Sequence, residues 1–124
     1  MAKILYIEDI QDNITLVEKI VTSRGHEFLY AKDAEKGLEL AFTSHPDLIL
    51  LDLGLPDADG QTLSVWLRND PALEKIPIIV LTAWPEEVVQ HTVDAYNLNG
   101  YLCKPFSMQA LLQIINKNLG AKAL

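Results

Sequence analysis

The sequence predicts an α/β protein: a parallel sheet covered by helices on both faces. Three observations carry this. Short, almost purely apolar runs recur along the chain, clearest at Ile4–Ile7, Leu48–Leu51 and Ile78–Leu81. Longer stretches of helical period separate them. Cap and turn residues mark the junctions. Apolar strands that do not alternate with polar residues are buried on both faces, and strands that alternate with helices pair in parallel through right-handed crossovers.

Each element has its own signal. Lys3-Ile4-Leu5-Tyr6-Ile7 is too short for a helix and reads as a buried strand. Gln11 to Arg24 follows, with Ile10, Ile14, Val17 and Val21 along one helical face, and Gly25 stops it. His26 to Ala31 is a weaker strand, short and mixed. Asp33 is placed to cap a helix running to about Ser44, with Leu38, Ala41 and Phe42 turned inward and Pro46 ending it. Leu48-Ile49-Leu50-Leu51 is the cleanest strand. Pro56, Asp57, Asp59 and Gly60 form a loop before a helix carrying Leu63, Trp66 and Leu67.

Ile78-Ile79-Val80-Leu81 is the fourth strand. Pro85, Glu86 and Glu87 start a helix that reaches about Tyr96, since proline suits the first turn and acids suit its positive end. Asn97 to Gly100 is a turn and Tyr101-Leu102-Cys103 a short fifth strand. Ser107 caps a last helix with Met108, Leu111, Leu112, Ile115 and Leu119 on one face. Residues after Gly120 read as a frayed tail. The chain is thus five strand–helix units, taken as a single domain over residues 1–124.

Composition narrows the class. With 17 acidic residues against 10 basic, the net charge of −7 argues against a broad basic surface for nucleic acid. Apolar residues make up 49% of the 124, enough for a core without a metal or disulfide staple. Cys103 is the only cysteine, which excludes a disulfide framework and a cysteine-based zinc cluster. The longest apolar runs, such as Leu48 to Leu51, are far short of a membrane span, and no signal peptide follows Met1. The expectation is a cytoplasmic protein with no membrane contact.

In an open parallel sheet, ligands bind at the carboxyl ends of the strands. There stand Glu8 and Asp9 after the first strand, Asp52 after the third, Thr82 and Ala83 after the fourth, and Lys104 and Pro105 after the fifth. Two unit charges ~4 Å apart repel by roughly 4 kcal/mol at an effective dielectric near 20, so three carboxylates need a cation or a shared proton. Oxygen-only ligands suit a hard divalent ion, and magnesium commonly joins one or two carboxylates to phosphate oxygens. A lysine and a threonine hydroxyl both suit a phosphoryl oxygen, and aspartate is a covalent phosphate acceptor. The set fits phosphoryl transfer onto Asp52.

Glu8-Asp9, Asp52, Pro56 with Asp59-Gly60, Thr82-Ala83 and Lys104-Pro105, in this order and at these strand ends, resemble the receiver domain of bacterial two-component response regulators, over Lys3 to Leu119. The resemblance implies a flavodoxin-like, doubly wound five-stranded sheet of order 2-1-3-4-5 with five helices. It implies Asp52 as phosphoacceptor. Glu8, Asp9, Asp52 and the backbone carbonyl of Gly54 would hold Mg²⁺. Thr82 would move to the phosphoryl group, and Lys104 would bind a phosphoryl oxygen. The Lys104–Pro105 bond would be cis, and Tyr101 would be an aromatic switch turning inward with Thr82.

The implied partners are a histidine kinase or histidine phosphotransfer protein, and a downstream protein on the fourth helix, fifth strand and last helix. Glu8 departs from the aspartate of many relatives, and its longer arm is expected to act on the ion through water. Gly54 and Trp84 occupy positions at which the family tunes phosphate lifetime.

Three other functions compete. A receiver-like module that binds partners without phosphorylation would keep the fold. An aspartyl-phosphate phosphatase would carry a second acid two residues after Asp52, where this chain has Gly54. A flavin or dinucleotide module would carry a glycine-rich loop, where this chain has Glu8-Asp9-Ile10-Gln11-Asp12. Glu8-Asp9 also admits a plain helix cap. His26, His45 and His91 are expected at the surface, Cys103 and Trp66 in the core, and Asp57 and Asp59 in turn chemistry. As a whole protein, a chain ending after its fifth helix would signal by protein contact. As an excised piece, its output domain is open.

Overall fold

A computed structural model describes residues 2–120 of the chain. The elements run β1 (Lys3–Ile7), α1 (Gln11–Thr22), β2 (Glu27–Ala31), α2 (Ala34–Ser44), β3 (Leu48–Leu51), α3 (Gly60–Asn69), β4 (Ile78–Thr82), α4 (Glu86–Ala95), β5 (Gly100–Cys103) and α5 (Met108–Leu119). The five strands are all parallel, in the order β2-β1-β3-β4-β5. The tail expected after Gly120 lies outside the described residues.

Strand side chains alternate between two faces, and each face has its own helices. Ile4, Tyr6, Leu48, Leu50, Ile79 and Leu81 pack against α1 and α5. Leu5, Ile7, Ile49, Leu51, Ile78 and Val80 pack against α2, α3 and α4. The strands read as unbroken apolar runs because both faces are covered.

The caps are local. Asp33 accepts from the Lys36 backbone N–H, Asp59 from Thr62 and Ser107 from Ala110. Gly25, at φ +80°, lies in the turn between α1 and β2. Gly60 fits where no other residue does. A Cβ there would lie 2.7 Å from the Leu53 Cα and 2.9 Å from the Asp52 carbonyl oxygen. The start of α3 therefore rests on the backbone of the loop that carries Asp52.

Several expected core residues are exposed. In α3 the buried arc is Gly60, Leu63, Ser64 and Leu67, and Trp66 falls beside it, 45% exposed. In α2 the buried arc is Ala34, Gly37 and Ala41, with Leu38 half-buried, which turns Phe42 to solvent. Ile10 precedes α1 and Met108 begins α5, and both are exposed at these ends. His26 corrects the opposite expectation. It is buried, with its Nδ1 accepting from the Ala2 backbone N–H at 3.1 Å, because the starts of β1 and β2 close over it. Cys103 is half-buried, and its Sγ donates to the Trp84 carbonyl.

Candidate functional site

The register gathers the strand ends. Ile7 lies beside Leu51 and Leu51 beside Val80, and the Asp52 backbone N–H donates to the Ile7 carbonyl at 3.0 Å. Glu8, Asp9 and Asp52 each bring one carboxylate oxygen within 4.8 Å of the others. The Lys104 ammonium reaches across from the end of β5, 2.8 Å from Glu8 Oε1 and 4.0 Å from Asp52 Oδ1. Glu8 and Asp9 are not spent on capping α1, whose cap residue Ile10 has no side-chain bond.

Glu8 is fully buried and thoroughly hydrogen-bonded. Its Oε1 accepts from Asn13 Nδ2 at 2.7 Å, Lys104 Nζ at 2.8 Å and the Tyr6 hydroxyl at 3.1 Å, and its Oε2 from the Asp9 backbone N–H. Burial alone would favour its neutral form. The bonds from Lys104 and Asn13, one from Asp52 and the Lys104 charge outweigh this and hold the carboxyl below its usual range.

Asp52 bears the opposite consequence. Burial, then the hydrogen bond and the negative charge of Glu8, push its carboxyl up to about 6, against the pull of Lys104 and the Gly54 backbone N–H. Below about pH 6 the proton shared by the two carboxyls rests on Asp52, because Glu8 has the better donors. Tyr6 is pushed well above the usual phenol range by burial and by Glu8, so it stays a neutral donor.

The other flank is looser. Thr82 is buried, and its hydroxyl accepts from the Trp84 backbone N–H at 3.1 Å. Tyr101 packs half-buried against the apolar layer under α4, with its hydroxyl donating to Glu86 at 2.8 Å. The Lys104–Pro105 bond is cis. Gly54 is exposed, and a Cβ there would lie 4.0 Å from Asp52 Oδ2.

Sequence reasoning missed Tyr6 and Asn13. Tyr6 stands two residues before Glu8, hence on the same strand face. Asn13 lies in the first turn of the next helix. A polar hydroxyl inside an otherwise aliphatic strand was the available signal. The sequence gives Asp57 only turn chemistry, yet it crosses to α2 and accepts from the Ala34 and Glu35 backbone N–H groups at 2.7 and 3.0 Å.

A family model for the response regulator receiver domain matches residues 4–116. The chain belongs to that family. This receiver is 30% identical over 117 residues to the polar-differentiation response regulator DivK of Brucella ovis, covering 94% of this chain and 95% of the relative. Its structure is similar to the chemotaxis response regulator CheY4 of Vibrio cholerae, at TM-score 0.90 and 26% identity over 96% of this chain and 99% of that one. It is also similar to the receiver domain of the sensor histidine kinase PA1611 of Pseudomonas aeruginosa, at TM-score 0.89 and 29% identity over 97% and 98%. That domain has a magnesium ion coordinated in its active site cleft. Receivers of this type are signalling domains, not metabolic enzymes. The phosphatase and flavin alternatives yield to this family.

Proposed function

We propose that this receiver takes a phosphoryl group onto Asp52 from the phosphohistidine of a kinase or phosphotransfer protein. The observation that carries this is the trio of carboxylate oxygens within 4.8 Å, with the Lys104 ammonium 4.0 Å from Asp52. An Asp52 oxygen attacks phosphorus as the phosphorus–nitrogen bond breaks, and the bonding pair leaves on the imidazole nitrogen. The all-oxygen donor set fits Mg²⁺, which Glu8, Asp9, Asp52 and the Gly54 carbonyl would hold. A bound ion supplies positive charge to the phosphoryl oxygens. The magnesium in the Pseudomonas aeruginosa relative supports the same ion here.

Lys104 binds a phosphoryl oxygen after leaving Glu8. Thr82 turns from the Trp84 N–H to the phosphoryl group, and Tyr101 gives up Glu86 and turns inward. The face of α4, β5 and α5 then changes shape and meets a downstream protein. The net charge of −7 supports a protein rather than a nucleic-acid partner. Among the described residues no helix is long and apolar enough to cross a membrane. That fits a cytoplasmic receiver with no membrane contact, which we take to span residues 1–124.

Intact mass after incubation with Mg²⁺ and a small acyl phosphate tests the assignment. One added phosphoryl group is expected, lost without Mg²⁺ and lost in Asp52→Ala. No adduct in the wild type, or an undiminished adduct in Asp52→Ala, overturns it.

A further inference from the structure

Three donors meet on one oxygen of Glu8, and only Lys104 among them is charged. The proposed transfer needs that cation to move, because an ammonium 2.8 Å from Glu8 and 4.0 Å from Asp52 must shift to meet a phosphoryl oxygen. A buried carboxylate that loses its cation and has no other donor is strongly disfavoured, so a simple Glu8–Lys104 pair would resist opening. Tyr6 and Asn13 change this. Both donors are neutral, and both stand on regular elements of the fold. Tyr6 is fully buried in β1, and Asn13 is held in the first turn of α1.

We propose that Tyr6 and Asn13 are positioning residues that hold the Glu8 carboxylate in place of water, so that Lys104 can exchange between Glu8 and an incoming phosphoryl group. The same support matters when a cation enters beside Glu8. The ammonium and the metal ion repel one another, and the neutral donors keep Glu8 served as Lys104 withdraws. This inference rests on Asp52 being the phosphoacceptor. It assigns to two residues that touch neither metal nor phosphate a role exerted wholly through Glu8.

Isothermal titration of the full, unphosphorylated chain with MgCl₂ tests it. Tyr6→Phe and Asn13→Ala are each expected to weaken magnesium binding about tenfold, the low end for residues that orient a metal's ligand. In a Lys104→Met background the same substitutions are expected to leave the affinity unchanged, because no ammonium remains to be released. An equal loss with and without Lys104 marks a packing defect and overturns the proposal. Unchanged binding in both single variants overturns it too. Thermal denaturation checks that each variant folds, and Tyr6→Phe, which keeps the ring, carries the test if Asn13→Ala does not. Full magnesium affinity in Tyr6→Phe, with normal phosphorylation of the wild type, overturns this inference alone. A wild type that neither binds Mg²⁺ nor accepts phosphate overturns the site assignment and this inference with it.

Discussion

The two flanks of Asp52 are held in different ways. On the β1–α1 side, Glu8 has no exposed surface and accepts four hydrogen bonds, from Tyr6, Asn13, Lys104 and the Asp9 backbone. On the β4–β5 side, Thr82 keeps one bond to a backbone N–H, and Tyr101 keeps one to Glu86 on the exposed start of α4. Buried bonds to a charged acceptor are strong, because breaking one strands a desolvated charge. The exposed Tyr101–Glu86 bond is weak, because water replaces it, and the buried Thr82 hydroxyl binds only a neutral backbone donor. One flank is therefore a fixed frame for charge and the other is poised to move. A switch needs both: a site that does not yield when a phosphoryl group arrives, and a neighbour that does.

The largest expected effect comes from removing the charge that sits between the flanks. Asp52→Asn is expected to stabilise the magnesium-free protein by about 1–3 kcal/mol at neutral pH, in urea denaturation. The sign follows from the raised pKa of Asp52. The folded carboxyl titrates at about 6 and the unfolded one at 3.8, so the folded chain holds the proton longer. The Asp52 contribution to stability should therefore fall as pH rises from 3.8 to about 6, and the gain of the variant should open over that window. Added Mg²⁺ should narrow the gap. No difference at neutral pH would mean that Asp52 carries no unfavourable charge.

A matched pair of substitutions compares the flanks directly. Tyr6→Phe and Tyr101→Phe remove the same atom. The first should cost about 1.5 kcal/mol or more, since it takes a buried donor from a charged acceptor. The second should cost less than about 0.5 kcal/mol, as for other exposed bonds. Equal costs would erase the contrast between frame and switch.

The smallest effect is a slope outside both flanks. Burial holds the His26 imidazole below its usual range, so its stabilising contribution is complete above pH 6.5 and is lost as pH falls from there. His26→Gln should flatten the pH dependence in that region relative to wild type. An unchanged slope would mean that His26 does not titrate with unfolding.

Much of this was legible in the chain. The apolar runs at β1, β3 and β4 announced strands buried on both faces, and the acids, threonine and lysine after them announced where the chemistry would gather. Asp33, Asp59 and Ser107 occupy helix caps, features that depend on residues three apart. What was not legible depends on distant partners or on arc geometry. Asp57 looks like loop solvation until α2 is seen above it, 23 residues away. Trp66 has the spacing of a core residue, but Ser64 takes the buried side of α3. His26 looks like a surface residue until two strand starts close over it. Tyr6 passes for core until its hydroxyl is seen to end at Glu8.

The elements and the inventory of the site were readable along the chain, because periodicity, caps and strand-end residues are local properties. The family resemblance added the strand order. Folding alone set which carboxyl is held low and which is pushed up. Glu8 and Asp52 are both acids at strand ends. Their difference lies in donors delivered from β1, α1 and the end of β5, and only folding brings these to one oxygen.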